Sequence, residues 1–456
     1  PFTLAIAKHR LDEAEVKADL REIGPRVPFT IGTEFQLEAL RVTHSVPDAI
    51  GLSITTKSGR ALHTGDFKLD GMPIDGRLTD LERMGELGEE GINLLLSDST
   101  NAERPGTTPS EQIVRENFER LFSKITTGRI AVSMFGSHLH RAQHVIELAR
   151  KLGRRVLLLG RSLQRNVALA QQVGLFAQHE DVLIPFDAAP AIPREQLMIV
   201  CTGAQAEARS ALTGLISNEP GPLRLEAGDT VVLSARAIPG NEPMIGTLIN
   251  QLLGRGLHVI TASGEPGIHT SGHAARDELR KTLEVTRPRH FIPIHGELRH
   301  LHAHAALARE LSVTTTIATD GDVIGVDEHG GHSLGRVQVG QHLMRREGVA
   351  PVSELALAER RWLAESGAIV AVVVLQQGSG KILHGPVLQG HALQQDEVAV
   401  LSLATDSARQ QLTELSDAMR GDDARVREEL IRGSRRVFKQ LLGARPTILP
   451  IVVRLP

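Results

Sequence analysis

The chain has 456 residues, of which 41% are hydrophobic and 23% are charged, and its formal net charge at pH 7 is −3. This length suggests about three domains. The near-zero charge argues against a protein that is basic over its whole surface, so any contact with a nucleic acid must use a local basic channel. No apolar run reaches the roughly 18–20 residues of a membrane span.

Several details of composition narrow the class further. The only cysteine, Cys201, excludes an intrachain disulfide framework and favours a reducing compartment. Its apolar neighbours predict a buried strand residue rather than a nucleophile. With no tyrosine and 3% aromatic residues, the chain lacks the stacking platforms of many single-strand binders. It opens at Pro1 without a methionine, inside a helical pattern, so we expect an N-terminal segment to be missing.

Residues 36–103 contain short apolar runs that each end in turn residues, which predicts an antiparallel or mixed sheet. From about residue 110, apolar runs of four to six residues alternate with amphipathic helices. That rhythm indicates a buried parallel sheet, in which ligands bind at the carboxyl ends of the strands. Short strands return over 256–345. Segment 346–366 is charged and helix-prone, as expected of a connector. Residues 367–456 predict a small α+β module, with the strand G-A-I-V-A-V-V-V-L, a charged helical stretch over about 406–442 and the closing strand T-I-L-P-I-V-V-R-L.

Histidines and aspartates recur where apolar runs end. They are His44, Asp66, Asp98, His273 and His295. Imidazole and carboxylate groups are common zinc ligands, and an aspartate can bridge two ions. Any one of these residues could instead simply cap a turn. Their shared position at strand ends favours a common site, but spacing alone does not decide between the two interpretations.

Two glycine- or serine-rich turns before helices have the geometry of anion sites. One contains Ser137, His138 and His140, and the other contains Ser271 and Gly272 ahead of His273. Free backbone N–H groups at such turns can contact phosphate. A plain capping role is the alternative for both. His300, His302 and His304 lie in a helical pattern, which favours one helix face over a metal site.

Taken together, seven stretches resemble the ribonuclease J family, in the β-CASP branch of the metallo-β-lactamase superfamily. They are T-H-S-V-P-D, H-T-G-D-F-K-L-D, L-L-S-D-S-T-N-A-E-R-P-G, F-G-S-H-L-H-R, I-P-G-N-E, H-T-S-G-H-A and P-I-H-G-E. They span residues 1 to about 345 in the family's order.

The resemblance implies an α/β protein with an N-terminally incomplete metallo-β-lactamase αββα fold. A parallel-sheet β-CASP domain is inserted into it, and a small α+β domain follows. The expected boundaries are 1–103 and 261–345 for the two hydrolase parts, 104–260 for the β-CASP domain, 346–366 for the linker and 367–456 for the C-terminal domain.

The resemblance also implies roles for individual residues. His44, Asp66 and His295 match zinc ligands of a site that holds two Zn²⁺ ions in the complete protein, with Asp66 bridging them. Asp98 and His273 match catalytic positions of the β-CASP motifs. The phosphate-binding residues are then Ser137, His138, His140, Ser271 and Gly272.

The implied activity is metal-dependent hydrolysis of RNA, 5′-to-3′ from a 5′-monophosphorylated end and also internally, in RNA processing and decay. The implied location is the cytoplasm, with no membrane association. RNA, a second copy of the chain and other RNA-decay proteins are the implied partners.

Two departures temper this expectation. The histidine-rich H-x-H-x-D-H motif would precede Pro1, so we expect the chain as given to bind zinc weakly and to be poorly active. The stretch Gly203–Glu207 differs from the usual G-S-Q-G-E. The alternative is a non-catalytic RNA-binding or scaffold homologue. A metallo-β-lactamase lactonase or thioesterase is disfavoured, because those enzymes lack the S-G-H-A motif.

Overall fold

The computed structural model describes residues 1–217, 221–238, 240–340, 343–344 and 352–456. Two compact units are separated at residue 338: Pro1–Gln338 and Val339–Pro456. Part of the predicted connector, 346–351, lies outside the described residues, and its remainder contains a helix over Glu354–Ser366. None of the described helices is long and apolar enough to cross a bilayer.

The first unit contains nine α-helices within its described residues. They are α1 (Phe2–Glu13), α2 (Leu81–Glu90), α3 (Glu111–Phe122), α4 (Leu139–Lys151), α5 (Arg161–Gln172), α6 (Ala211–Leu215), α7 (Glu242–Gly254), α8 (Arg276–Thr286) and α9 (Leu298–Glu310). Short 3-10 helices cover Phe186–Ala191 and Arg194–Gln196.

Fourteen strands accompany them in the same described part. They are β1 (Pro28–Ile31), β2 (Phe35–Arg41), β3 (Ile50–Thr56), β4 (Gly59–His63), β5 (Leu94–Asp98), β6 (Ile130–Ser133), β7 (Arg155–Leu159), β8 (Leu197–Cys201), β9 (Thr230–Leu233), β10 (His258–Thr261), β11 (His290–Ile294), β12 (Thr314–Thr315), β13 (Asp322–Asp327) and β14 (Gly330–Arg336).

A seven-stranded mixed sheet has the order β1-β2-β3-β4-β5-β11-β12, which confirms the mixed sheet predicted from the short apolar runs. Strands β1 to β4 are antiparallel neighbours, whereas β5 runs parallel to both β4 and β11. In the β5–β11 register Asp98 lies opposite Ile294. The residues that follow these two strands therefore meet at one edge of the sheet.

The second sheet has five strands in the order β10-β9-β6-β8-β7, and every neighbouring pair is parallel. This confirms the buried parallel sheet predicted from the alternation of apolar runs and helices. Successive residues of β8 pack into different cores, with Met198 on one face and Ile199 on the other. Both faces are covered, which explains why these strands are apolar without a polar alternation.

Cys201 is fully buried at the end of β8, as predicted. Burial raises the pKa of its thiol to about 12, so the thiolate that nucleophilic chemistry requires is suppressed.

The C-terminal unit contains α10 (Glu354–Ser366), α11 (Gln395–Ala399), α12 (Leu401–Glu414), α13 (Asp417–Arg420) and α14 (Asp423–Leu442). Its three-stranded sheet has the order β16-β15-β17, formed by β15 (Ala368–Gln376), β16 (Ile382–His391) and β17 (Thr447–Leu455). Alternate residues of β15, such as Val373, are buried beside residues of α12 and α14. The sequence predicted β15, β17 and the helices but not β16.

Candidate active site

Asp98 is the last residue of β5 and is 1% exposed. Its Oδ1 accepts hydrogen bonds from Thr100 N at 2.9 Å and Thr100 Oγ1 at 2.7 Å, and it lies 3.2 Å from His295 Nδ1. Its Oδ2 accepts a hydrogen bond from His273 Nδ1 at 2.7 Å. One buried carboxylate thus orients two imidazoles.

The charge state of Asp98 follows from these contacts. Burial by itself raises the pKa of this carboxyl, but the hydrogen bonds from His273 and His295 outweigh it and hold the pKa well below its usual range. The same interaction with Asp98 raises the pKa of His295. Since Nδ1 of each ring faces Asp98, Nε2 of each is left to contact a metal or a substrate.

His295 follows β11 with a left-handed backbone, at φ 53°. Its carbonyl accepts a hydrogen bond from Ser99 N at 3.2 Å, which ties it to the turn after β5. Non-glycine residues adopt this conformation only where surrounding contacts impose it. The strained turn directs the imidazole back toward Asp98 rather than along the strand.

His273 lies in the loop that precedes α8. Asn101 Nδ2 donates to the carbonyl of His273 at 2.8 Å and to Ser271 Oγ at 2.9 Å. Farther along, the buried Glu278 carboxylate accepts hydrogen bonds from the backbone N–H groups of Leu69, Thr108 and Ala275. These bonds join the chain segments that carry Asp66, Asn101 and His273, so buried polar contacts fix the loop.

His44 follows β2 and contacts the same loop. Its Nδ1 donates to the carbonyl of Gly272 at 2.8 Å, which leaves the lone pair of Nε2 for a ligand. A Cβ on Gly272 would lie 2.7 Å from the His44 ring and 2.6 Å from Ser45 Oγ. Only glycine therefore allows the loop to approach His44 this closely.

Asp66 completes the cluster, with Oδ1 3.6 Å from His295 Nδ1. Two sets of three residues place one ligand atom each within 4.8 Å of one another: His44, Asp66 and His273, and Asp98, His273 and His295. The structure thus brings together all five residues predicted from the sequence, but His273 lies in the loop before α8 and not at the end of a strand, so that part of the prediction was wrong. His273 lies in both of these sets, although the resemblance gave it a catalytic role and not that of a metal ligand.

The predicted phosphate-binding residues divide into two groups. His138, His140, Ser271 and Gly272 line one cavity, beside His44. Ser137 is half-buried. Among the described residues, it lines neither this cavity nor a second cavity, which His273 lines. Their roles stay predictions.

His138 is 5% exposed, and its Nε2 lies 3.4 Å from Glu111 Oε2. Burial and the neighbouring Arg141 lower its pKa to about 4. It therefore lines the site as a neutral imidazole.

The sequence reasoning missed several residues that hold the site. They are Thr100, Asn101, Glu111 and Glu278. Thr100 and Asn101 lie close after Asp98, so their place after a strand end could have marked them. The other two lie in amphipathic helices, where charged residues are ordinarily solvated, and nothing in the pattern distinguishes them.

The histidines of α9 lie on a helix, as predicted, but not on one face of it. His300 and His304 are buried and His302 is exposed. His304 Nδ1 lies 3.0 Å from Ser99 Oγ, so this ring supports the turn after β5. Burial lowers the pKa of His304 to about 3. These residues do not form a metal-sized group among the described side chains.

Gln205 lies in the stretch that departs from the G-S-Q-G-E pattern. It is 4% exposed, donates to the carbonyl of Arg236 at 2.8 Å and accepts from Ile238 N at 2.8 Å. Its amide is thereby used to hold the loop after β9, so it is not free for a ligand.

Known protein families match three parts of this chain. The β-CASP domain of ribonuclease J matches residues 127–252, a Zn-dependent metallo-hydrolase RNA specificity domain matches 263–318, and the ribonuclease J C-terminal domain matches 355–455. A ribonuclease J of Thermus thermophilus is 34% identical over 99% of this chain and 78% of its own. One of Mycobacterium tuberculosis is 35% identical over 99% of this chain and 81% of its own. The chain belongs to the ribonuclease J family.

Membership confirms the family and the hydrolase fold expected from the motifs. A ribonuclease J of Synechocystis is 37% identical over 84% of this chain, and the alignment spans 60% of that relative. The metallo-hydrolase description implies a metal cofactor. The residues present fit one, because imidazole and carboxylate groups of both sets have ligand atoms within 4.8 Å of one another, and hydrogen bonds hold the Nδ1 atoms of His44 and His273.

We expect Gly272→Ala to lower the affinity of the protein for zinc by about tenfold or more, because the new methyl group displaces the His44 ring. Competition with a chromophoric chelator measures this affinity. Gly246→Ala is the matched control, since a Cβ there meets no heavy atom within 4 Å. Equal zinc affinity in the two variants would contradict the assignment of His44 as a ligand.

Proposed function

We propose that the protein is a zinc-dependent ribonuclease that hydrolyses RNA phosphodiester bonds. The observation that carries this proposal is the shared hydrogen bonding of His273 and His295 to Asp98, next to His44 and Asp66. A site of this kind combines metal ligands with a separately oriented imidazole. Phosphodiester hydrolysis needs both, because negative charge develops on the phosphate oxygens while a leaving oxygen must be protonated.

His44, Asp66 and His295 would bind the metal. The family's arrangement has two zinc ions per site. Bound zinc would supply positive charge to the phosphate oxygens and lower the pKa of water. The chain's own residues orient the reaction. Asp98 fixes the His273 ring through Nδ1, so Nε2 is the atom that can pass a proton to the leaving 3′ oxygen.

The walls of the site suit a polyanion. Ser271 and Gly272 separate the two cavities that His273 and His44 line, and both residues line each of them. The larger of the two cavities, which His273 lines, also has Arg104, Arg236 and Arg299 in its walls. Cations near a phosphate-binding loop raise the local concentration of RNA and position its backbone.

His273→Ala should reduce cleavage of a labelled RNA by at least about 10²-fold, because the proton donor to the leaving oxygen is lost. The dissociation constant for the same RNA, measured in EDTA, should change little. His302→Ala serves as the control, since this histidine is exposed on α9. Undiminished cleavage would show that His273 is not the proton donor to the leaving oxygen. If the unmodified protein binds RNA but cleaves none, the non-catalytic alternative is favoured.

We also propose that the protein degrades RNA in the 5′-to-3′ direction from a 5′-monophosphate and can cut internally. What supports this is the cavity beyond His44, whose lining includes Arg41 and Arg77. Arg77 lies 3.4 Å from Asp48, whereas no ion pair of Arg41 is found within the described residues. Arg41 is therefore available to a terminal phosphate.

The unmodified protein should degrade a 5′-monophosphorylated RNA faster than the same RNA with a 5′-triphosphate or 5′-hydroxyl. Arg41→Gln should reduce that preference severalfold and leave internal cleavage of a circular RNA nearly unchanged. Arg10→Gln, an exposed residue paired only with Glu13, is the matched control. Equal rates for the three RNA ends would refute the 5′-end preference while leaving hydrolysis itself intact.

We propose in addition that the protein is a homodimer in the cytoplasm and that its C-terminal sheet contributes to the interface. One face of this sheet carries apolar side chains that are partly exposed within the described residues. Val370, Val372 and Val374 of β15 lie opposite Leu449, Ile451 and Val453 of β17, which are 37–46% exposed. A continuous apolar face of this kind is typical of an interface between copies.

Ile451→Lys should shift the mass measured by light scattering from dimer toward monomer, because a charge would be buried at the centre of that face. Val323→Lys on β13 of the first unit, at 40% exposure, is the control and should leave the mass unchanged. A dimer that persists in the Ile451 variant at low micromolar concentration would exclude this face.

A further inference from the structure

Arg141, on the first turn of α4, is 1% exposed and uses all its donors inside the protein. Its Nε and one terminal nitrogen donate to the two oxygens of Glu111 at 2.6 and 2.7 Å. The other terminal nitrogen donates to Ser234 and, at 3.0 Å, to His269 Nδ1. A weaker bond of 3.4 Å reaches the carbonyl of Thr270.

This contact determines the tautomer of His269. A guanidinium group has five N–H donors and no acceptor, and it stays protonated in proteins. The nitrogen that it contacts, His269 Nδ1, must therefore carry the lone pair, and the single proton of the neutral ring lies on Nε2. Charging the ring would place a second N–H against the arginine N–H. Burial and Arg141, with His138 nearby, accordingly lower the pKa of His269 to about 2.

The remaining nitrogen of His269 faces the substrate side. His269 lines the same cavity as His273, together with Arg236 and Ser271. Its Nε2 has no hydrogen-bond partner among the described residues, and it is not one of the buried unpartnered atoms, so it reaches solvent. A fixed, uncharged N–H group thus reaches solvent on a residue that lines a cavity together with Arg104 and Arg236.

We propose that His269 donates a hydrogen bond from Nε2 to a phosphate oxygen of RNA, and that Arg141 acts as a positioning residue by fixing this tautomer. This inference rests on the proposed action on RNA. A donor without titratable charge binds a phosphate oxygen equally well between pH 5 and 8, unlike an ordinary histidine. The groups facing the ring are Arg141, His138, Glu111 and Arg236, and none of them needs to change charge.

The first test is RNA binding by the full protein in EDTA, which prevents metal-dependent cleavage. The probe is a 5′-phosphorylated single-stranded RNA. His269→Ala should weaken binding by about tenfold, the value of one hydrogen bond to a charged acceptor. His269→Gln, whose Nε2 amide can donate from nearly the same place, should recover most of that loss. His258→Ala, an exposed histidine at the start of β10, is the control.

The second test reads the tautomer directly and needs no RNA. Long-range ¹H–¹⁵N spectra of histidine-labelled protein should show the His269 signals, identified by their loss in His269→Gln, as unprotonated Nδ1 and protonated Nε2. They should not shift between pH 5 and 8. Arg141→Met should release the tautomer or allow titration. The matched control is Arg129→Met, because Arg129 is also buried, at 8% exposure, and pairs with Asp229 just before β6 and β9 begin.

A protonated Nδ1 in the unmodified protein, or a titration of His269 within that pH range, would overturn the inference. So would RNA binding that His269→Ala leaves unchanged, or a His269→Gln variant as weak as His269→Ala. If Arg141→Met fails to fold, the spectra of the unmodified protein still decide the tautomer. If the unmodified protein binds no RNA at all, the proposed function fails together with the phosphate contact.

Discussion

The site depends on keeping one buried carboxylate charged. Asp98 is 1% exposed, and a carboxylate in such a place is stable as an anion only if N–H and O–H groups surround it. Thr100, His273 and His295 supply them. To do so, β11 must lie beside β5 in register and the loop before α8 must return to the same edge. The positions of both imidazoles are therefore tied to the charge of Asp98.

The sequence predicted which residues stand at strand ends but not which strands are neighbours. Apolar runs and their terminal turns were sufficient to place Asp98 and His295 on the carboxyl edge of a sheet. These two residues meet because β5 pairs with β11. They are 197 positions apart in the chain. Local patterns contain no information about such pairing. The order of several long motifs supplied it by resemblance, and the parallel pairing of β5 with β11 agrees with it.

Buried charged residues in helices were beyond the reach of the sequence. Glu111 and Glu278 have the spacing of ordinary amphipathic helices, in which such residues usually face water. Their burial appears only once the two sheets and the loop over 269–273 are packed together. Strand β16 was missed for a local reason, since Ile382–His391 contains two glycines and a proline, which disfavour strand. The residues that carry chemistry were therefore easier to predict than those that hold them in place.

The same contacts that stabilise the fold also reduce the cost of binding a phosphate. The ion pair of Arg141 with Glu111 is almost fully buried, and removing one partner of such a pair typically costs about 3–5 kcal/mol. A pair of this kind tolerates little displacement, so the carbonyl of Thr270 and the ring of His269 stay where Arg141 places them. Donors that are already oriented need no rearrangement when charge develops beside them, which is the condition for effective electrostatic stabilisation. The free energy used to bury these charges at the junction of the two sheets thus also preorganises the loop that bears His273.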